Sequence, residues 1–175
     1  LFSFATMNVL LVCSMTRVDA GDVIFLQYSA PLWVCVVAAI WLREPLIKSN
    51  LIALVIGMSG VAVIVVASVS TPDWIGVLLA LGAGVGYAGV ILSLRALRDE
   101  DSIGLIFLCL GFSALVLMPK VAGSVHHLNG EHFLWLAIFS VVQMGVPYIL
   151  FARGLRRVTA QEGSLITLLE PALNP

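Results

Sequence analysis

Charge is what this 175-residue chain has least of. Only 11% of its residues are Asp, Glu, Lys or Arg, against roughly 25% in an ordinary soluble domain. So few charges cannot cover a water-facing surface, and a net charge of −1 leaves no basic face for a nucleic acid. Cysteine is equally sparse. Cys13, Cys35 and Cys109 all sit inside apolar runs, which argues against a disulfide framework or a thiolate metal site and makes them small buried hydrophobes. No phosphate-cradling glycine loop, no HExxH and no GxSxG occurs, so the signatures of soluble enzymes are missing. The chain reads as a non-enzyme with no cofactor and no metal.

What it has instead is hydrophobicity. Sixty-one per cent of residues are apolar and the mean hydropathy is +1.09. A membrane span takes about 20 mostly apolar residues at 1.5 Å each. Seven segments meet or approach that: 1–15, 22–42, 50–70, 75–95, 103–120, 132–152 and 162–175, the first and last cut short. The predicted class is an all-α polytopic membrane protein with the lipid bilayer as its first partner. Leu1 is no initiator methionine and Pro175 falls inside an apolar helix, so the sequence reads as a fragment.

Orientation follows from Lys and Arg, which concentrate on the cytoplasmic side. The connections 43–49, 95–102 and 153–161 hold Arg43, Lys48, Arg95, Arg98, Arg153, Arg156 and Arg157, while the other three hold only Arg17 and Lys120. The seven-residue side is expected inside an inner (plasma) membrane, with Leu1 starting there.

One stretch is carried twice. Residues 17–31 read RVDAGDVIFLQYSAP and residues 157–171 read RVTAQEGSLITLLEP, so a shift of 140 superposes Arg17 on Arg157, Val18 on Val158, Ala20 on Ala160 and Pro31 on Pro171. Five spans separate the copies. Five is odd, so the two halves are expected to be inverted relative to each other, as alternating access requires. Small residues punctuate the spans: Gly82 and Gly86 form a GxxxG pair with Gly76, Gly84 and Gly89 nearby, and Gly57 and Gly60 lie in the preceding span. Close helix packing is the plain reading of these glycines, and a hinge or a substrate-facing backbone is the alternative.

The order of motifs resembles a known family. Leu42-Arg43-Glu44-Pro45 ends one span, Gly57-Met-Ser-Gly60-Val-Ala-Val lies in the next, and Leu78-Leu-Ala-Leu-Gly-Ala-Gly-Val-Gly-Tyr87 follows. Arg157-Val-Thr-Ala160 and Ser164-Leu-Ile-Thr-Leu-Leu-Glu170-Pro171 close the series. This is similar to the EamA-type branch of the drug/metabolite transporter superfamily. The resemblance implies a ten-helix bundle of two inverted five-helix repeats. Residues 1–70 would close the first repeat and residues 75–175 open the second. It also implies an exporter of small metabolites, amino acids or drugs, often coupled to protons.

Polar groups inside spans are costly and therefore functional candidates. Glu170 would lie near mid-membrane if its helix continues, where a carboxyl suits reversible protonation; a neutral, hydrogen-bonded structural role beside the proline is the alternative. Gln27, Gln143 and Thr167 each precede an in-span proline by four residues, with Pro31, Pro147 and Pro171 as the expected kinks. Proline has no N–H, so the carbonyl four residues earlier loses its helical donor and needs another partner. Tyr28, Tyr87 and Tyr148 fit an amphipathic pocket or plain helix interfaces. The expected cavity is Gln27, Tyr28, Tyr87, Gln143 and Glu170, taking a small-molecule substrate and protons. Trp41, Trp74 and Trp135 read as interfacial anchors. His126, His127, Glu131 and His132 read as a solvated loop rather than a zinc site. A non-transporting membrane scaffold and an intramembrane enzyme are the competing readings, and whether the protein works alone or as a homodimer stays open.

Overall fold

The computed structural model describes residues 1–45, 47–68, 73–122 and 129–170. His126, His127 and Pro171 lie outside the described residues. Among the described residues nine α-helices follow one another: α1 Phe2–Met15, α2 Ala20–Gln27, α3 Ala30–Trp41, α4 Lys48–Ser68, α5 Trp74–Ala96, α6 Ser102–Ala122, α7 Gly130–Phe139, α8 Val146–Gly154 and α9 Ala160–Thr167. A π-helical turn, Ser140–Gly145, joins α7 to α8. Among the described residues four helical stretches are long and apolar enough to cross a membrane: Ala20–Trp41, Trp74–Ala96, Ser102–Pro119 and Gly130–Gly154. Their ends fall within two residues of the spans read from hydropathy. The sides that would face lipid are apolar: Trp74, Phe107 and Ile40 are each more than 70% exposed, and α7 buries none of its residues.

The bundle is organised on α5. Its small residues make two flat faces where neighbours come close. On one face Gly82, Gly86 and Gly89 receive Leu10, Met7 and Ser3 of α1. As the α5 numbers rise the α1 numbers fall, so the two helices are antiparallel. On the other, Gly84 lies against Gln27 and Ser29 between α2 and α3. Phe4, Met7, Val34, Ala38, Ile91 and Ile106 form the core around these contacts. The remaining glycines divide. Gly57 of α4 meets Leu168, whereas Gly60 faces open space, so the expectation of packing there does not extend to Gly60.

The in-span prolines act more sharply than simple kinks. At Pro31 the helix is interrupted: α2 stops at Gln27, Tyr28 and Ser29 form a turn, and α3 restarts with Pro31 in its first turn. There its missing N–H leaves no helical bond unmade. Before Pro147 the chain instead slips into the π turn, where the Val146 N–H reaches back to the Val141 carbonyl. That extra residue per turn relieves the clash of the proline ring with the Gln143 carbonyl.

A Cβ on Gly86 would stand 3.0 Å from the Cα and 3.1 Å from the N of Met7, backbone atoms that cannot rotate away. Gly86→Ala should therefore cost about 1–3 kcal/mol of stability. Gly60→Ala should cost nothing and gain up to ~1 kcal/mol through helix propensity. Thermal unfolding of the two variants in detergent checks the contrast.

Candidate functional site

The duplicated stretch is duplicated in backbone as well as in letters. Helix α2 begins at Ala20 and ends at Gln27; α9 begins at Ala160 and ends at Thr167, each 140 residues later. The Arg17 N–H donates to the Ser14 carbonyl at 2.8 Å and the Arg157 N–H to the Gly154 carbonyl at 2.9 Å. The Ser29 N–H reaches Leu26 and the Leu169 N–H reaches Ile166, both at 3.1 Å. Tyr28–Ser29 and Leu168–Leu169 are the same turn, after which the helix resumes at Ala30 and at Glu170. Local chemistry sets the start of α9: Thr159 Oγ1 accepts from the Glu162 N–H, and Glu162 Oε2 accepts from the Thr159 N–H at 2.9 Å. This is a capping box.

The two interruptions and α5 bring polar side chains together. Tyr28 interacts with the Glu170 carboxyl, and Tyr87 of α5 with the Thr167 hydroxyl. Tyr87 also lies near Tyr28, Tyr148 and Glu170. Tyr148 of α8 meets Phe4 edge-on, ring centroids 5.1 Å apart, a favourable aromatic geometry. Tyr28 is buried, Tyr87 and Tyr148 are half-buried and packed on the core, and Glu170 is exposed. Ser29, in the same turn as Tyr28, is buried and its Oγ finds no partner among the described residues. An unpaired hydroxyl in such surroundings is costly unless a ligand or water uses it.

Of the residues expected in the cavity, Tyr28, Tyr87 and Glu170 converge. Half-buried Gln27 adjoins them through its backbone at Gly84. Gln143 stands apart. It is exposed and lines an apolar groove with His132, Trp135 and Phe139. Thr167, expected only as the partner of a kink, joins the tyrosines. His132 serves its helix: its Nδ1 accepts from the Asn129 N–H at 3.3 Å, closing the cap of α7.

A second constellation was not singled out from the sequence. Glu44 follows α3, and its carboxylate accepts from Arg95 Nε at 3.2 Å and from the Ala160 N–H at 3.2 and 3.0 Å. Arg95 also donates to the Leu155 carbonyl at 2.8 Å, and Gln161 Nε2 to the Pro45 carbonyl at 3.4 Å. The Glu44 and Arg95 side chains are only 10% and 14% exposed. In the sequence Glu44 counted only within a motif and Arg95 only toward orientation; the lone acid in a connection of basic residues was the available signal. Arg43, just before Glu44, has φ 53°. It closes α3 in the left-handed conformation normally given to glycine, and the Glu44 N–H bonds back to the Ala38 carbonyl at 3.2 Å.

At the opposite end of α5 Ser14 Oγ donates to the Gly76 carbonyl at 2.7 Å, and the charged pair there is more exposed. Asp73 caps α5 by accepting from the Ile75 N–H at 3.0 Å, and it pairs with Arg17 at 3.1 Å. The two side chains are 37% and 44% exposed. The Arg17 guanidinium holds the Asp73 carboxyl below the usual carboxylate range. A depressed acid of this kind favours the fold above its unfolded pKa, and that support fades as pH falls through the folded value.

Comparison with known proteins places these features in a family. The EamA-like transporter family matches residues 1–66 and 74–174. An uncharacterized transporter of Archaeoglobus fulgidus is 26% identical over 178 residues, covering 98% of this chain and 63% of that protein. The uncharacterized transporter YvbV of Bacillus subtilis is 31% identical over 137 residues, 77% of this chain and 41% of its own length. The chain thus spans less than two thirds of these relatives. No solved structure matches.

Because Arg43 holds a conformation that costs a side-chain-bearing residue on the order of 1–2 kcal/mol, Arg43→Gly should stabilise the protein. Allowing for the greater freedom of glycine when unfolded, the net gain is on the order of 0.5 kcal/mol. A melting temperature that falls instead would show that the Arg43 side chain supports the fold by itself.

Proposed function

The chain belongs to the EamA-like transporter family, and from that membership we propose a secondary active transporter that exports small metabolites, amino acids or drugs by alternating access. It is an integral membrane protein whose apolar helices sit in a lipid bilayer. In this reading the membrane is the inner one, Leu1 starts in the cytoplasm, and residues 1–70 and 75–175 belong to two inverted five-helix repeats of a ten-helix bundle. The substrate sits where the two interrupted helices meet α5.

The observation that carries the reading is the convergence of Tyr28, Tyr87, Tyr148, Thr167 and Glu170 from two copies of one helix break and two neighbouring helices. Interrupted helices at membrane depth free backbone groups and leave polar side chains beside them, the usual makeup of a transporter site. Glu170 is the group suited to exchange a proton against substrate, since a membrane-embedded carboxyl is kept only where it has work to do.

Expression of the full natural gene product in a sensitive bacterial host tests this, with toxic amino-acid analogues, amines and drugs as the challenge. Resistance to one chemical class is expected, together with its loss in Glu170→Gln by about tenfold or more, the factor typical of a proton-transfer or coupling group. Resistance that survives the mutation would return Glu170 to a structural role. No resistance to any challenge, with the protein present in the membrane, would count against export.

A further inference from the structure

The Glu44–Arg95 constellation joins three parts of the chain that also carry the tyrosine–carboxylate cluster. Glu44 follows α3, whose first turn succeeds Tyr28; Arg95 is in the last turn of α5, eight residues after Tyr87; Ala160 opens α9, seven residues before Thr167. At 1.5 Å per helical residue the cluster lies about 10–12 Å from this polar knot along both α5 and α9. The knot sits at the end of the bundle that carries seven of the nine basic residues. Its charges are nearly out of solvent, and each also bonds α9 or the turn before it through backbone: Glu44 to the Ala160 N–H, Arg95 to the Leu155 carbonyl.

The two ends of α5 differ in kind. At the far end the Arg17–Asp73 pair is more than a third exposed on both sides and binds only the α1–α2 turn. Exposed pairs hold little, and this one restrains neither α3 nor α9. Among the described residues, closure at the basic end rests on the ion pair that reaches α9. It is held by buried charge, where well-packed apolar side chains would serve stability as well or better. It is also under strain. Arg43 is at positive φ, and Gln161 Oε1 is buried without a partner. A contact that is specific, dry and locally unfavourable in two places suits an element with two arrangements better than a permanent rivet.

We infer that Glu44, Arg95 and the first turn of α9 form a latch that shuts the basic end of the bundle, and that it must part whenever the cluster opens to that side. When it parts, Glu44 releases Ala160 and Arg95 releases Leu155 together, so α9 swings as a unit with Thr167 and Glu170. Charge alone does not rebuild it, because Glu44 also spends bonds on the first residue of α9 and Arg95 on the turn before it.

This inference rests on the alternating-access reading. Its test uses the full natural gene product in oriented vesicles, with Cys13, Cys35 and Cys109 changed to serine and Thr167→Cys as reporter. A membrane-impermeant maleimide is added from either side. With the latch intact, the reporter should react faster from the far side than from the basic side; equal rates overturn the latch even if no variant folds. In Glu44→Gln, labelling from the basic side should rise about tenfold or more and labelling from the far side should fall, the population shift expected when one state loses a buried ion pair. Arg95→Lys, which keeps the charge but loses the fork that reaches Leu155, should lie between. Exchanging the charges, Glu44→Arg with Arg95→Glu, should not restore the original ratio. Labelling that rises equally from both sides would mean a loosened fold and no gate. An active exporter whose labelling ignores Glu44→Gln would sink the latch alone. Labelling that switches sides in the reporter, while the protein with Thr167 intact exports no challenge compound, would keep the latch and sink the exporter.

Discussion

A backbone in lipid has no water to turn to, so each N–H and C=O must find its partner inside the protein. That constraint shapes every irregular point in this chain. The Tyr28–Ser29 turn is tolerated because α5 presents Gly84 there and lets the broken segment lie directly on another helix. The π turn at Ser140–Gly145 accommodates Pro147 while keeping its hydrogen bonds, the Val146 N–H still reaching Val141. Where the same sequence is repeated, the same solution is repeated, down to hydrogen bonds of equal length at Ser29 and Leu169. Polar side chains collect beside these turns because the turns are the places where polar atoms already have to be accommodated.

Helix α5 makes this possible. Lipid offers no hydrophobic drive for two helices to meet, so close approach must be built from small residues. Gly82, Gly86 and Gly89 admit α1, and Gly84 admits the α2–α3 turn. One helix is thereby in contact with both the regular and the interrupted part of the bundle, and Tyr87, between those glycines, is carried into the polar cluster. Bulk at any of these positions would push away the element that makes the site.

Much of this was legible in the letters. Hydropathy located the four candidate spans among the described residues to within two residues, because length and apolarity are imposed by the bilayer itself. The 140-residue shift predicted equivalent local structure and found it. The tyrosines were singled out as amphipathic pocket residues and Glu170 for the cost of a carboxyl in a span. Depth and composition, however, say nothing of azimuth. Gln143 has the same credentials as Gln27, yet it is exposed and lines an apolar groove away from the tyrosines. Glu44 was read within a motif and Arg95 as an orientation signal, and only the fold shows them paired at 10% and 14% exposure.

The two copies share a backbone and differ in chemistry, and the difference matters more than the likeness. At equivalent positions Tyr28 stands against Leu168, Gln27 against Thr167, and Ala30 against Glu170. Had the side chains been duplicated with the backbone, two phenols and two carboxylates would meet, and like charges at that depth would repel in a medium that screens them poorly. Instead each copy supplies what the other lacks: the phenol of Tyr28 lies with the carboxyl of Glu170, and Tyr87 with the Thr167 hydroxyl. Symmetric scaffold and asymmetric chemistry together leave one ionisable acid among three phenols.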